Sequence, residues 1–207
     1  MSVGYHCQVI MVLPDPDIVA VMTARDFCPF RKLAETILVA VKSDSPLPAS
    51  PEAAANLANA ISDVATERPS KTGPVPELAS TMSGKTYYFT RNALSFKSAT
   101  LYLTDSNPHV AWEIYQDGTP ERVIRTANPI GLDGLYRKNA PRDLTAPFAY
   151  RAMKGSWRDA QTFVVDLQFI GQGQELKWAL SFAGDRVTIT TKARDGHEVS
   201  VESEAIP

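Results

Sequence analysis

The sequence has few of the residues that build metal centres and disulfide frameworks. Only two cysteines and three histidines occur in 207 residues. Cys7 and Cys28 show no Cys-x-x-Cys spacing, so we expect two buried thiols and neither a disulfide framework nor a zinc site. His6, His109 and His197 have no ligand spacing, and no metal or cofactor is expected.

The chain also lacks an excess of charge of either sign. Lys and Arg number 21 against 23 Asp and Glu, for a net charge of -2, so no nucleic-acid or anionic membrane partner is expected. Glu35 interrupts the most apolar stretch, Leu33–Val41, which is far too short to cross a bilayer. No signal-peptide pattern occurs at Met1–Leu13, and a cytoplasmic location is the default expectation.

The first part of the chain, residues 1–43, predicts a β-hairpin followed by a helix. Two apolar runs, Val9–Leu13 and Ile18–Thr23, flank the turn Pro14–Asp17. A central-looking hairpin needs neighbours to bury both faces, so the chain is expected to be the tail of a larger protein. The helix begins at Pro29, and its apolar stripe comprises Phe30, Leu33, Ala34, Ile37, Leu38 and Val41.

Residues 44–80 predict a proline-rich linker that contains one further helix. Ser50-Pro51-Glu52 is a helix-start signal, because serine caps the first turn and proline is tolerated within it. The apolar face of this helix comprises Ala54, Leu57, Ala58, Ile61 and Val64.

Residues 81–207 predict an antiparallel β-domain, because the apolar period changes to two. Roughly eight to ten short strands with no helix between them indicate an antiparallel barrel or sandwich of meander type. A closed, lipocalin-like barrel of about eight strands is expected, which makes the chain α+β and mainly β. Trp112, Trp157 and Trp178 alternate with polar residues and are expected in the core. The candidate strands are Lys85–Thr90, Ser95–Thr104, His109–Tyr115, Glu121–Arg125, Gly134–Arg137, Ala149–Gly155, Phe163–Phe169, Leu176–Phe182, Arg186–Thr190 and His197–Val201.

Three short motifs that carry chemistry in other proteins are interpreted here as structural. Lys71-Thr72-Gly73 lies between prolines rather than on a strand beside a nucleophile. Ser83-Gly84-Lys85-Thr86 lacks the first glycine of a phosphate loop and precedes a strand. Gly171-Gln172-Gly173 is typical of a hairpin turn.

The segment Gly4–Thr23, GYHCQVIMVLPDPDIVAVMT, resembles the end of serine hydrolases related to class C β-lactamases and D-stereospecific peptidases. In these the pattern is Gly-x-Gly-Gly-Gln, an apolar strand, Pro-(Asp/Glu)-x-(Asp/Asn) and a second apolar strand. Gly73–Tyr87 resembles the junction at which some members carry an extra C-terminal β-domain. The resemblance implies that Tyr5, His6 and Gln8 lie on a remnant strand that bordered a substrate site.

The same resemblance implies that the catalytic part is missing. No Ser-x-x-Lys occurs beside the hairpin and no Tyr-x-Asn occurs at all, so no catalytic residue is assigned. His6 and Cys7 also replace the two glycines that the family has before Gln8.

Three functions follow as expectations. The first is a non-catalytic accessory or interaction domain of a β-lactamase-related serine hydrolase. The second is a barrel that binds a small apolar ligand, and the third is an acyl hydrolase completed by a separate chain. The expected partner is a second copy, bound through residues 1–43, or a separate hydrolase-domain chain. The surface for this contact is expected to include Val9, Met11, Val19, Val21 and the stripe of the Phe30–Val41 helix.

Overall fold

A computed structural model describes residues 1–24, 28–116, 122–140, 150–192 and 196–204. The chain forms two compact units, Met1–Glu67 and Arg68–Pro207. The border between them falls inside the stretch 44–80 that the sequence predicts as a linker, so its last residues belong to the second unit.

The first unit contains a three-stranded antiparallel sheet in the order β1-β2-β3 and two helices. Its elements are β1 (Ser2–Val3), a 3-10 helix (Tyr5–Cys7), β2 (Val9–Leu13), β3 (Ile18–Met22), α1 (Phe30–Ala40) and α2 (Pro51–Ala65). The predicted hairpin and both predicted helices are confirmed. The Ser50 hydroxyl caps α2 by accepting a hydrogen bond of 3.2 Å from the Ala53 amide.

Cys7 and Cys28 form a disulfide, so the prediction of two buried thiols is wrong. Their Cα atoms are 5.4 Å apart, Cys7 is half-buried and Cys28 is exposed. The disulfide joins the segment just before β2 to the segment just before α1. Next to Cys7 in the chain, the Gln8 side-chain amide donates a hydrogen bond of 2.5 Å to the Ala24 carbonyl. A separation of 21 residues leaves no local signal in the sequence, which is why spacing alone missed it.

The two faces of the hairpin differ in exposure. Val9 and Met11 are buried, contrary to the prediction that they face water. The exposed side chains are those of the other face, Ile10, Val12, Val19 and Val21, because alternation along a strand places neighbours on opposite faces. In the predicted stripe of α1 only Leu38 is exposed; its other members are half-buried.

The second unit consists of two antiparallel sheets and one short helix. One sheet has four strands in the order β4-β5-β6-β7, and the other has six in the order β13-β12-β11-β10-β9-β8. The elements are α3 (Leu78–Met82), β4 (Thr86–Tyr88), β5 (Phe96–Tyr102), β6 (His109–Tyr115), β7 (Val123–Pro129), β8 (Arg137–Lys138), β9 (Arg151–Trp157), β10 (Thr162–Phe169), β11 (Gln174–Ala183), β12 (Arg186–Lys192) and β13 (Glu198–Glu202).

The predicted closed barrel is not confirmed, since the strands divide into two separate sheets. A few backbone hydrogen bonds join the sheets at their edges. On one side the Glu204 amide, just after β13, donates to the Tyr88 carbonyl of β4 at 2.8 Å. On the other side Gly131, just after β7, donates its amide to the Met153 carbonyl and accepts from the Gly155 amide, both in β9. Gly131 is required there because a Cβ would overlap the Leu135 carbonyl.

Most predicted strands of this unit are present with shifted ends. The candidate Gly134–Arg137 is wrong except at its last residue, because β8 covers only Arg137–Lys138. Glu121 and Ala149, at the ends of two other candidates, lie outside the described residues.

Aromatic side chains fill the space between the two sheets. Phe96 and Trp112 of the four-stranded sheet meet Trp178 of the six-stranded sheet, with ring centroids 5.2 to 5.3 Å apart. Trp157 is also buried, so all three predicted core tryptophans are confirmed. Helix α3, which the sequence did not predict, adds Ala79 and Met82 to the same core.

We predict that replacing both cysteines by serine destabilises the first unit by about 3 kcal/mol, because a disulfide that closes a loop of this length restricts the unfolded chain by about that amount. Amide hydrogen exchange in β2 and β3 measures the effect in the full chain. Amides of β10 and β11 serve as the internal control and should keep their protection. Equal amide protection in β2 and β3 with and without the disulfide would show that the bond does not stabilise this unit.

Candidate functional site

The residues predicted to border a substrate site do not form a strand. Tyr5 and His6 lie in the 3-10 helix, and Gln8 follows it as an exposed residue before β2. The Gly4 amide donates to the Gln8 carbonyl at 2.7 Å and the Cys7 amide to the Gly4 carbonyl at 3.1 Å. These bonds close the backbone into a turn, so the expected strand edge is absent at Tyr5 and His6.

The three short motifs have structural roles. Gly73 packs against the Trp157 carbonyl, where a side chain would overlap it. The Ser83 hydroxyl accepts hydrogen bonds from the amides of Leu103 at 2.9 Å and Thr104 at 3.2 Å, which holds the residue after α3 against the end of β5. Gly171 and Gly173 both have positive φ angles in the turn between β10 and β11, as predicted.

One candidate site is a cleft of about 550 Å³ on the outer face of the four-stranded sheet, which we call the outer cleft. Strand register aligns its side chains in two rows across the sheet. One row is Thr86, Thr100, Ala111 and Ala127, and the other is Tyr88, Ser98, Glu113 and Arg125. Small side chains therefore form the floor, while an aromatic ring and charged groups stand at its sides.

The floor of the outer cleft carries hydroxyl groups with unused hydrogen-bonding capacity. Ser98 is 6% exposed, and its hydroxyl has no hydrogen-bond partner among the described residues. The Thr86 and Thr100 hydroxyls share one hydrogen bond of 2.8 Å, so one of their two hydrogens remains available. A buried hydroxyl without a partner costs about 1–3 kcal/mol, which a ligand or water in the cleft would recover.

Glu113 and Arg125 line the cleft, and Lys97, which lies outside the lining, also pairs with Glu113. The Glu113 carboxylate lies 3.0 Å from the Lys97 ammonium and 2.5 Å from the Arg125 Nε atom. The hydrogen bond from Lys97, and then that from Arg125, lowers the pKa of Glu113 below its ordinary value. Glu113 is therefore ionised at neutral pH, and it pairs with both cations.

Sequence reasoning missed this site because its residues are ordinary in isolation. A signal was present: three outward positions of β5 and β6, Ser98, Thr100 and Ala111, carry small side chains. That they meet Ala127 and Arg125 depends on pairing across three strands, which local patterns do not specify.

Other parts of the described structure offer less chemistry. A second cleft of about 460 Å³ contains Asp133 and Arg137, which pair with each other at 2.7 Å. Within the described ranges no three His, Cys, Asp or Glu side chains are grouped so that they could hold a metal ion. Among the helices of the described residues, none has the length and apolar character needed to cross a membrane.

Comparisons with known proteins assign the chain to no family. No protein-family description, no curated protein and no solved structure matches it.

We predict that Glu113 contributes to stability only above acidic pH. Because its pKa is lower in the folded chain, its contribution is present above the ordinary value of 4.5 and disappears as pH falls through the lowered pKa. Glu113→Gln should therefore reduce the loss of stability between pH 7 and pH 3. Tryptophan fluorescence in urea measures this selectively, since Trp112, Trp157 and Trp178 all lie in the second unit.

The matched control is Glu202→Gln, which removes an exposed partner of Arg186 in the other sheet. An acid response of Glu113→Gln equal to that of the unmodified protein would contradict the assignment.

Proposed function

We propose that the chain is a non-catalytic binding module whose second unit holds a small polar ligand in the outer cleft. The observation that supports this most is Ser98, a residue that is 94% buried and lines the cleft, and whose hydroxyl has no partner in the described part of the chain. Ligand sites place a few polar groups at fixed positions, and a sheet supplies them on rigid backbone.

The accessory role expected from the resemblance to serine hydrolases is part of this proposal. A binding module needs no nucleophile, and the sequence lacks the Ser-x-x-Lys and Tyr-x-Asn motifs that such hydrolases use. An acyl hydrolase completed by a separate chain has less support, because Tyr5 and His6 do not lie on a strand edge. The apolar-ligand alternative also has less support, since aromatic rings pack between the sheets and the outer cleft carries hydroxyl and charged groups.

Filling the outer cleft tests the proposal. Ala127 is exposed and lies in the cleft, so Ala127→Trp should block it without disturbing the core. In a nuclear magnetic resonance screen of small sugars, sugar acids and polyols, we expect shifts of the Ser98, Thr100 and Ala111 amides that disappear in Ala127→Trp. Thr190→Trp, at the exposed Thr190–Ser200 contact of the other sheet, is the control and should bind as the unmodified chain does. Binding that survives Ala127→Trp would place the site elsewhere.

We also propose that the first unit forms a homodimer through residues 1–43. Four apolar side chains adjoin on one face of the hairpin, because Ile10 pairs with Val21 and Val12 with Val19. Each is 53–69% exposed, and contiguous apolar surface on a soluble protein is typical of an interaction site. A second copy supplies an identical face, and a two-fold axis closes the assembly.

The dimer predicts a defined response to charge on this face. Val19→Asp with Val21→Asp should convert a dimer into a monomer, because two carboxylates would be desolvated at the contact; light scattering measures the mass. Asn56→Asp with Asn59→Asp adds the same charge at exposed positions of α2, outside residues 1–43, and should leave the dimer intact. A monomer of the unmodified protein at micromolar concentration would overturn this proposal.

A further inference from the structure

Arg125 presents an unused hydrogen-bonding fork to the outer cleft. Its Nε atom binds Glu113, its side chain is 71% exposed, and its two terminal nitrogens have no partner among the described residues. A guanidinium can donate two parallel hydrogen bonds to a carboxylate, and the hydrogen bond from its Nε atom to Glu113 restricts the rotation of this one.

The charge balance of the cleft favours an anionic ligand group. Glu113 and Arg125 line the cleft, and Lys97 pairs with Glu113 beside it, so this group of two cations and one anion has a net charge of +1. Both carboxylate oxygens of Glu113 already have a cationic partner, so this residue does not offer a strong site for a further cation.

The side of the cleft away from Arg125 favours a ligand that has hydroxyl groups and a ring. Ser98 and Thr100 provide hydroxyls that can donate to or accept from a polyol. Tyr88, at the opposite side from Arg125, is 54% exposed and offers an aromatic surface for the apolar face of a sugar ring. Tyr88 and Arg125 lie on strands three spacings apart, so their backbones are separated by roughly 14 Å.

We propose that the ligand of the outer cleft is a sugar acid, with its carboxylate on the Arg125 fork and its hydroxyls on Ser98 and Thr100. This inference rests on the proposed binding function and specifies its ligand class. The cleft should bind a sugar acid more tightly than a neutral sugar. Both can contact Ser98 and Thr100, but only the sugar acid has a carboxylate that pairs with Arg125.

The experiment compares glucuronate with glucose, which differ only by the carboxylate at one carbon. Titrations of the full chain in 50 mM NaCl, followed by the Ser98 and Thr100 amides, should show glucuronate binding about tenfold more tightly. This preference should decrease in 500 mM NaCl, because the Arg125 fork is exposed to screening ions.

Variants separate the role of Arg125 from general stability. Arg125→Gln should bring glucuronate binding down to the level of glucose, and Arg125→Lys should keep only part of the preference, since an ammonium lacks the planar fork. Arg186→Gln removes an arginine that is similarly exposed and paired in the other sheet, and it should leave the preference unchanged.

Each result supports or overturns the inference. Equal binding of glucose and glucuronate overturns the sugar-acid assignment and leaves the binding function in place. Binding of neither sugar overturns the assignment, whereas the proposed function fails only if no compound of the polar screen shifts the cleft amides. A preference retained in Arg125→Gln shows that another group holds the carboxylate, and it also overturns the assignment.

Discussion

The second unit depends on a one-residue bulge in β5. Strict alternation would place Phe96 on the same face as Ser98 and Thr100, outside the core. The register shifts between Phe96 and Ser98, so Phe96 pairs with Ile114 while Ser98 pairs with the adjacent Glu113. The bulge thereby turns the Phe96 ring inward against Trp112 and Trp178, and it leaves the small side chains of Ser98 and Thr100 next along the outer face of β5. Core packing and an open cleft follow from the same backbone irregularity.

This arrangement explains why the outer cleft is rigid enough to serve as a site. Trp112 and Ala99 anchor the inner faces of the strands whose outer faces carry Glu113, Ser98 and Thr100. Any rotation of a strand that moved the outer groups would also separate rings that pack at close to 5 Å, and dense interiors resist such changes. The chemistry at the surface is therefore positioned by apolar contacts on the reverse side of the sheet.

Periodicity predicts the parts of this fold that local physics determines. Helix α2 follows from its serine cap, its proline in the first turn and its apolar stripe, and β6 matches its predicted bounds of His109–Tyr115. Helix α3 has only five residues, too few for an amphipathic period to be visible. The Cys7–Cys28 bond and the rows of the outer cleft are set by contacts between distant segments, which no local window contains.

The two units are stabilised by different interactions. The second unit has a large aromatic core. In the first, α1 and α2 have no fully buried residue, so burial contributes little and the disulfide carries a larger share. Disulfides persist in oxidising compartments and are reduced by cytosolic thiols, so the stability of this unit depends on the redox conditions around it. The same scarcity of burial leaves the Ile10, Val12, Val19 and Val21 face available, and a contact with a second copy would supply the apolar burial that the isolated unit lacks.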